Sequence, residues 1–316
     1  MTGAYPYTLS VVIPIFNEKE SLADLVAAVT QALDGWQFEL ILVDDGSTDG
    51  SADMLRRLAA EVAQLRPLLL IRNYGQSTAL QAGFDAAQGQ FIVTLDGDLQ
   101  NDPRDIPAMV SLLQSDSQID VVSGWRRDRQ DATLSRKIPS KIANHLISKV
   151  TKVQLHDYGC ALKAYRAQVI KDLRLYGELH RFIPALAAEV GARIVEVPVR
   201  HHARTKGVSK YGIDRTIRVI LDLLWIRFTM GFLHRPIHAF GGVALVMLIV
   251  GFGILGWLGF ERIVLGEDIG GRPVLFLGVL LSLMGTQLLA VGLLGELLIR
   301  IYHEPKGRRQ YILKDH

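Results

Sequence analysis

An α/β protein with a doubly wound mixed sheet, followed by amphipathic interfacial helices and two transmembrane helices, is the fold class this 316-residue sequence predicts. Three observations carry that expectation. Short apolar, β-branched runs alternate with stretches of helical periodicity through the first two thirds of the chain. Each apolar run ends in polar or acidic residues, as strand ends at a ligand crevice do. Two later runs, 237–260 and 274–294, each hold more than twenty residues without Asp, Glu, Lys or Arg, enough to span the hydrocarbon core. The expected division is an α/β domain over 1–212, juxtamembrane amphipathic helices over 213–235, a two-helix transmembrane domain over 236–299 and a tail over 300–316.

The elements follow in order. Leu9-Ser10-Val11-Val12-Ile13-Pro14 reads as a buried parallel-type strand that Pro14 stops, and an amphipathic helix over 21–33 comes next, with Leu22, Leu25, Val26 and Val29 on one face. This strand-turn-helix unit lacks Gly-x-Gly-x-x-Gly and the P-loop ending, which excludes both nucleotide fingerprints. A second strand, 40–43, runs into Asp44-Asp45-Gly46-Ser47-Thr48-Asp49. Ser47 or Asp49 is expected to cap the following helix, while Asp44 and Asp45 at the strand's end suit hydrogen bonds from a base or ribose. A third strand over 68–71 leads through Arg72-Asn73-Tyr74-Gly75-Gln76 to a helix over 77–87. The fourth, 90–94, leads to Leu95-Asp96-Gly97-Asp98-Leu99-Gln100.

That last stretch carries the sharpest chemistry. Two carboxylates flank a glycine where the backbone can approach a ligand closely, and a neutral amide follows. Mg2+ takes one or two carboxylates plus phosphate oxygens, so a divalent cation on a diphosphate suits Asp96, Asp98 and Gln100. A helix over 105–113, a strand over 120–123 and the loop Gly124-Trp125-Arg126-Arg127-Asp128-Arg129 complete the pattern. Arginines at a strand end on the same edge as the acids read as anion ligands.

Taken together, Val12-Ile13-Pro14-Ile15-Phe16-Asn17-Glu18, Val43-Asp44-Asp45-Gly46-Ser47-Thr48-Asp49 and Leu95-Asp96-Gly97-Asp98-Leu99-Gln100 resemble family 2 glycosyltransferases with the GT-A fold. Asp157-Tyr158-Gly159-Cys160-Ala161-Leu162-Lys163-Ala164-Tyr165-Arg166, then Arg204-Thr205-Lys206-Gly207-Val208-Ser209-Lys210-Tyr211 and two spans, narrow the resemblance to polyprenyl-phosphate glycosyltransferases. The resemblance implies that Pro14, Phe16, Glu18, Asp44, Asp45 and Gly75 line a nucleotide pocket together with Asp96, and that Arg204 and Lys210 close over the donor. It implies Mg2+ or Mn2+ on Asp96, Asp98 and Gln100, with Asp98 and Asp157 as the catalytic pair. Arg126, Arg136 and Ser140 are implied for the acceptor phosphate. Asp157 stands where such enzymes often carry a base, and is read here as positioning the acceptor or sugar, with proton abstraction as the alternative. The expected reaction moves a sugar from a nucleotide donor, UDP-linked and of glucose or 4-amino-arabinose type, to polyprenyl (undecaprenyl) phosphate with inversion. A GDP-mannose-dependent transferase and a non-catalytic nucleotide-sugar-binding protein are the alternatives.

The remaining features concern place and assembly. Net charge is only +3, and nothing calls for a nucleic-acid partner. The single cysteine, Cys160, excludes an intramolecular disulfide framework. His201-His202 invites a metal reading, but neighbours on a strand point oppositely. The basic stretch 200–235 and the basic tail, against an acidic-leaning 261–272 loop, put the catalytic domain and both termini on the cytoplasmic side of the inner membrane. Glycines 278, 285 and 292 form a stripe that predicts close helix packing, either in a homo-oligomer, for which the resemblance favours a tetramer, or against the first span of the same chain.

Overall fold

The computed structural model describes residues 5–127, 148, 151, 153–175, 177, 179–202 and 236–303. The expected helices over 213–235 and the tail beyond 303 lie outside the described residues. The chain divides into two compact units, Met1–Leu223 and Leu224–His316.

The first unit is built on a seven-stranded mixed sheet. Strands β1 (Tyr7–Ile15), β2 (Phe38–Asp44), β3 (Leu65–Leu69) and β4 (Gly89–Thr94) alternate with helices α1 (Leu22–Ala32), α2 (Ser51–Glu61) and α3 (Gln76–Ala86). A 3-10 turn, Pro103–Asp105, then leads into α4 (Ile106–Ser115), β5 (Val121–Trp125), β6 (Lys163–Arg166), α5 (Ala167–Asp172), α6 (Ile183–Glu189) and β7 (Ile194–Pro198). The sheet order is β3-β2-β1-β4-β6-β5-β7. All neighbours are parallel except β6, which runs antiparallel to both β4 and β5. This is the GT-A-like mixed sheet that the sequence predicts.

The antiparallel strand sets up the site. A parallel sheet presents its carboxyl ends along one edge, and a reversed strand delivers its amino end to that same edge. The turn after β4, the turn after β5 and the segment leading into β6 therefore converge. Behind them, α1 buries Leu22, Leu25, Val26 and Val29, and α4 buries Ile106, Met109, Val110 and Leu113 against the sheet. A Cβ on Gly83 of α3 would stand 2.2 Å from Val12 Cγ1, so this helix lies directly on β1.

Two local expectations are corrected. The third strand is Leu65–Leu69 rather than 68–71, because its ladder pairs Leu40 with Leu65 and Asp44 with Leu69, and Ile71 beyond it is 91% exposed. An apolar run continued past the hydrogen-bonded edge strand. Neither Ser47 nor Asp49 caps α2: Gly50, with φ of 89°, holds that position. Asp49 instead accepts from the Ser51 N–H at 3.0 Å and the Lys19 N–H at 3.0 Å.

In the second unit, α7 (Pro236–Phe260) continues into a π-helical turn, Glu261–Leu265, and is followed by α8 (Pro273–His303). Segments Phe240–Leu265 and Pro273–Gly295 are long and apolar enough to cross a membrane. The two helices pack closely through small residues. A Cβ on Gly285 would meet Leu248 Cγ at 2.8 Å and the Ala244 carbonyl at 3.0 Å, and one on Gly251 would meet Ser282 Oγ at 2.5 Å. The glycine stripe at 278 and 285 is thus filled by the first span of the same chain, which is the second of its two expected uses. In the connecting loop Arg272 pairs with Glu261 and Glu267, and Arg262 pairs with Asp268, so no net positive charge is displayed there.

Candidate active site

The loops after β1 and β2 are zipped together. Asn17, in the left-handed region at φ 55°, accepts from the Thr48 N–H at 2.8 Å through its side chain, while its own N–H donates to Ser47 Oγ at 2.9 Å. Glu18 N–H donates to Ser51 Oγ at 3.3 Å. These bonds fix Phe16 and Glu18 at the sheet edge. Asp45 anchors the turn after β3, its two carboxylate oxygens accepting from the Tyr74 N–H at 2.7 Å and the Gly75 N–H at 2.9 Å. Gly46 makes the approach possible, since at φ 69° a Cβ there would stand 2.3 Å from the Arg72 carbonyl carbon.

The turn after β4 is tied down as firmly. Asp96 accepts from Gln76 Nε2 at 2.9 Å, and Ser21 Oγ at the start of α1 donates to the Gly97 carbonyl at 3.1 Å. Leu99 holds φ of 58°, an unfavourable conformation for a branched side chain. Such strain persists where the surroundings over-determine it, here between Asp98 and Gln100. Burial, and then the charge of Asp98, push the Asp96 carboxyl up to about 6. Excess negative charge in a crevice is what a divalent cation would relieve, so the donor set fits one on Asp96 and Asp98. Among the described residues no group of three or more His, Cys, Asp or Glu gathers for a metal. Two carboxylates with diphosphate oxygens do not require one.

The cleft formed here has a volume of about 270 Å³ and is lined by Pro14, Phe16, Glu18, Asp45, Gly75, Asp96 and Asp98, among others. It does not include Asp44, which is buried below the turn and accepts from the Ser47 N–H at 3.2 Å. Nor does it include Gln100, whose carbonyl accepts from the His202 N–H at 2.8 Å. His201 bridges to Asn101 and His202 reaches Asp102 at 3.2 Å, so the two histidines separate as expected of strand neighbours.

Beside the cleft, Arg126 and Asp157 form a buried bidentate pair. Nε donates to Oδ2 at 2.6 Å and Nη2 to Oδ1 at 2.9 Å, with side chains 11% and 10% exposed. Gly159 N–H adds a bond at 3.1 Å. Burial alone would raise the Asp157 carboxyl, but the Arg126 guanidinium outweighs it and holds the group below its ordinary value. The same partner keeps Arg126 raised against the opposing effect of burial. One edge of Arg126, expected to face an acceptor phosphate, is thus committed to Asp157. A carboxylate so filled and so acidic is a poor base. Arg136, Ser140, Arg204 and Lys210 lie outside the described residues.

Residues that the sequence reading left unassigned complete the site. A smaller chamber of about 90 Å³ shares Pro14, Gln76 and Asp96 with the cleft and is also lined by Tyr158, Lys163, Tyr165 and Arg181. Lys163 is 3% exposed, and its ammonium donates to the Tyr158 carbonyl at 3.4 Å and to the Cys160 carbonyl. Burial pushes it below the usual lysine range. The available signal was a lysine inside the otherwise apolar run 160–165, a place where charges are rarely found without a purpose.

Comparison with known proteins places this geometry in a family. The family model described as Glycosyl transferase family 2 matches residues 10–174. A dodecaprenyl-phosphate galacturonate synthase from Rhizobium johnstonii is 50% identical over 97% of this chain and 92% of its own length. An undecaprenyl-phosphate 4-deoxy-4-formamido-L-arabinose transferase from Edwardsiella ictaluri is 39% identical over 97% and 93%. A structure of glucosyl-3-phosphoglycerate synthase from Mycobacterium tuberculosis with Mn2+, UDP-glucose and glycerol 3-phosphate matches the fold with a TM-score of 0.53 at 19% identity, over 71% of this chain and 80% of that one.

Proposed function

The chain belongs to glycosyltransferase family 2 and is a polyprenyl-phosphate sugar transferase, and from that premise we propose that its donor is a UDP-sugar, used with a divalent cation at the cytoplasmic membrane face. The observation that carries this reading is the convergence of Pro14, Phe16, Glu18, Asp45, Gly75, Asp96 and Asp98 on one cleft at the sheet edge. A fold neighbour holds UDP-glucose with Mn2+, which supports the same donor chemistry.

The roles divide by chemistry. Asp45 organises the Tyr74-Gly75 turn that walls the nucleotide cleft. Asp96 and Asp98 would hold Mg2+ or Mn2+, which when bound neutralises the departing nucleoside diphosphate. The acceptor phosphate has a second pKa of about 6, so at neutral pH it already carries the nucleophilic charge. A side-chain base is therefore unnecessary, and Asp157 serves by fixing Arg126 beside the cleft. With Asp157 committed, the described residues offer no evident second nucleophile, and a single displacement would invert the anomeric centre. Arg136 and Ser140 toward the lipid phosphate, and Arg204 and Lys210 over the donor, remain part of this proposal.

The donor sugar is open between two classes. The relative at 50% identity is named for a uronic acid and the one at 39% for a neutral formamido-pentose. Purified full-length protein, undecaprenyl phosphate and a panel of UDP- and GDP-sugars with Mg2+ test the whole reading. Transfer should require a UDP-sugar, stop with EDTA and be lost in Asp98→Ala. Full turnover in EDTA would remove the cation from the reaction, and transfer from GDP-mannose alone would overturn the donor.

A further inference from the structure

We infer that the chamber bordering the cleft at Asp96 selects a donor sugar bearing a carboxylate, with Lys163 and Tyr165 as its specificity-determining residues. The inference rests on the proposed UDP-sugar reading and goes beyond it by assigning the class of sugar to named side chains.

Topology puts these two residues together. In β6 they stand two apart, so both side chains leave the same face of the strand. Lys163 pairs in register with Thr94 and Ser123, and Tyr165 with Ile92 and Val121, which fixes that face in the middle of the sheet. Both line the chamber behind Asp96.

Each carries bonding capacity that the protein does not use. The Lys163 ammonium has three donors and, among the described residues, meets only the Tyr158 and Cys160 carbonyls. Among the described residues no carboxylate lies within ion-pair distance of it. The Tyr165 hydroxyl is fully buried and, among the described residues, meets no partner in hydrogen-bond geometry. A buried ammonium and a buried phenol left incomplete at one cavity are rare and costly, and both donate to anions.

Size and position identify the anion as a substituent of the sugar. At about 90 Å³ the chamber is a third of the 270 Å³ cleft, too small for a nucleotide, and it shares Pro14, Gln76 and Asp96 with the cleft as common walls. A donor with its diphosphate near Asp96 and Asp98 directs its sugar, not its base, to this end. The C5 carboxylate of a hexuronate is a planar anion with lone pairs for both donors. A neutral hydroxymethyl group would bring no charge to the ammonium's remaining donor.

Donor binding tests this without the lipid. In calorimetry with Mg2+, wild-type protein should bind UDP-galacturonate more tightly than UDP-galactose. Lys163→Met should erase that preference, a change of about ten- to a hundredfold for a lost charge-assisted bond. Tyr165→Phe, which keeps the ring packing, should reduce it by several-fold, and Lys163→Arg should retain it. UDP affinity is the fold control. Equal binding of acid and neutral donors by wild type, or an unchanged ratio in both Lys163→Met and Tyr165→Phe, overturns the inference. So does a Lys163→Met variant that keeps the ratio but saturates poorly with undecaprenyl phosphate, which would give the ammonium to the acceptor. Lipid-dependent transfer, measured separately, decides the reaction itself: acid-selective binding without transfer would refute the proposed function and leave the chamber's selectivity standing.

Discussion

Removing the Asp157 carboxylate would strand the Arg126 guanidinium, which is 11% exposed and donates two side-chain hydrogen bonds to that partner. Breaking a buried pair from one side costs about 3–5 kcal/mol. For a domain of this size each kcal/mol moves the midpoint by roughly 2–4 °C, so Asp157→Ala should melt about 6–20 °C below wild type in thermal unfolding of the detergent-solubilised protein. Replacing both partners, Arg126→Met with Asp157→Leu, should recover most of that loss, because an apolar pair of similar volume is often neutral. It should not recover transfer. The acid dependence has a defined sign. Asp157 is depressed in the folded state, so its contribution is present above the unfolded value of about 3.9 and is lost as pH falls through the lower folded value. At neutral pH it stays ionised, and the acid limb of the rate profile should follow the acceptor phosphate near about pH 6. Asp157→Asn should lower the rate and leave that limb in place. A limb that vanishes in Asp157→Asn would make Asp157 the base, and an Asp157→Ala midpoint within about 2 °C of wild type would refute the energetic argument.

Other expectations follow from single contacts. Gly46→Ala must adopt φ of 69° and overlap the Arg72 backbone at 2.3 Å, so it should cost about 2–4 kcal/mol and weaken UDP binding, read by unfolding and calorimetry. Leu248→Cys with Gly285→Cys, in a Cys160→Ser background, should oxidise within one chain, since a Gly285 Cβ would lie 2.8 Å from Leu248 Cγ; disulfide-linked dimers on a gel would assign this stripe to an oligomer instead. Reporter fusions after Lys314 should read cytoplasm and an insertion at Gly270 the opposite side, and a matching signal from both would sink the two-span topology.

How far the sequence could be read depended on whether a signal was local. β1, β2 and β4 are runs of apolar residues that end close to where the ladder ends, and the turns after β2 and β4 announce themselves by acids and glycines. Periodicity likewise gave α1 its buried face, Leu22, Leu25, Val26 and Val29. Where hydrogen bonding rather than composition sets a boundary, the reading slipped: Leu68 to Leu70 are apolar, yet β3 closes at Leu69 because β2 offers nothing beyond Asp44. Gly50 displaced the expected caps for a similar reason, as Asp49 was already bound to Lys19 and Ser51.

The direction of β6 was beyond local signals altogether. Four residues, Lys163 to Arg166, look the same in either direction, and which neighbours they join is decided by long-range pairing with β4 and β5. That direction nevertheless has the largest consequence for chemistry. Had β6 run parallel, Asp157 would enter the sheet from the edge opposite Arg126, and Lys163 would sit far from Asp96. Reversal brings the segment before β6 to the carboxyl ends of β4 and β5, so one topological choice creates both the Arg126–Asp157 pair and the Lys163 chamber. Sequence motifs therefore named the acids of the cleft, whereas Lys163 and Tyr165 in the chamber behind Asp96 become visible only once the strand order is known.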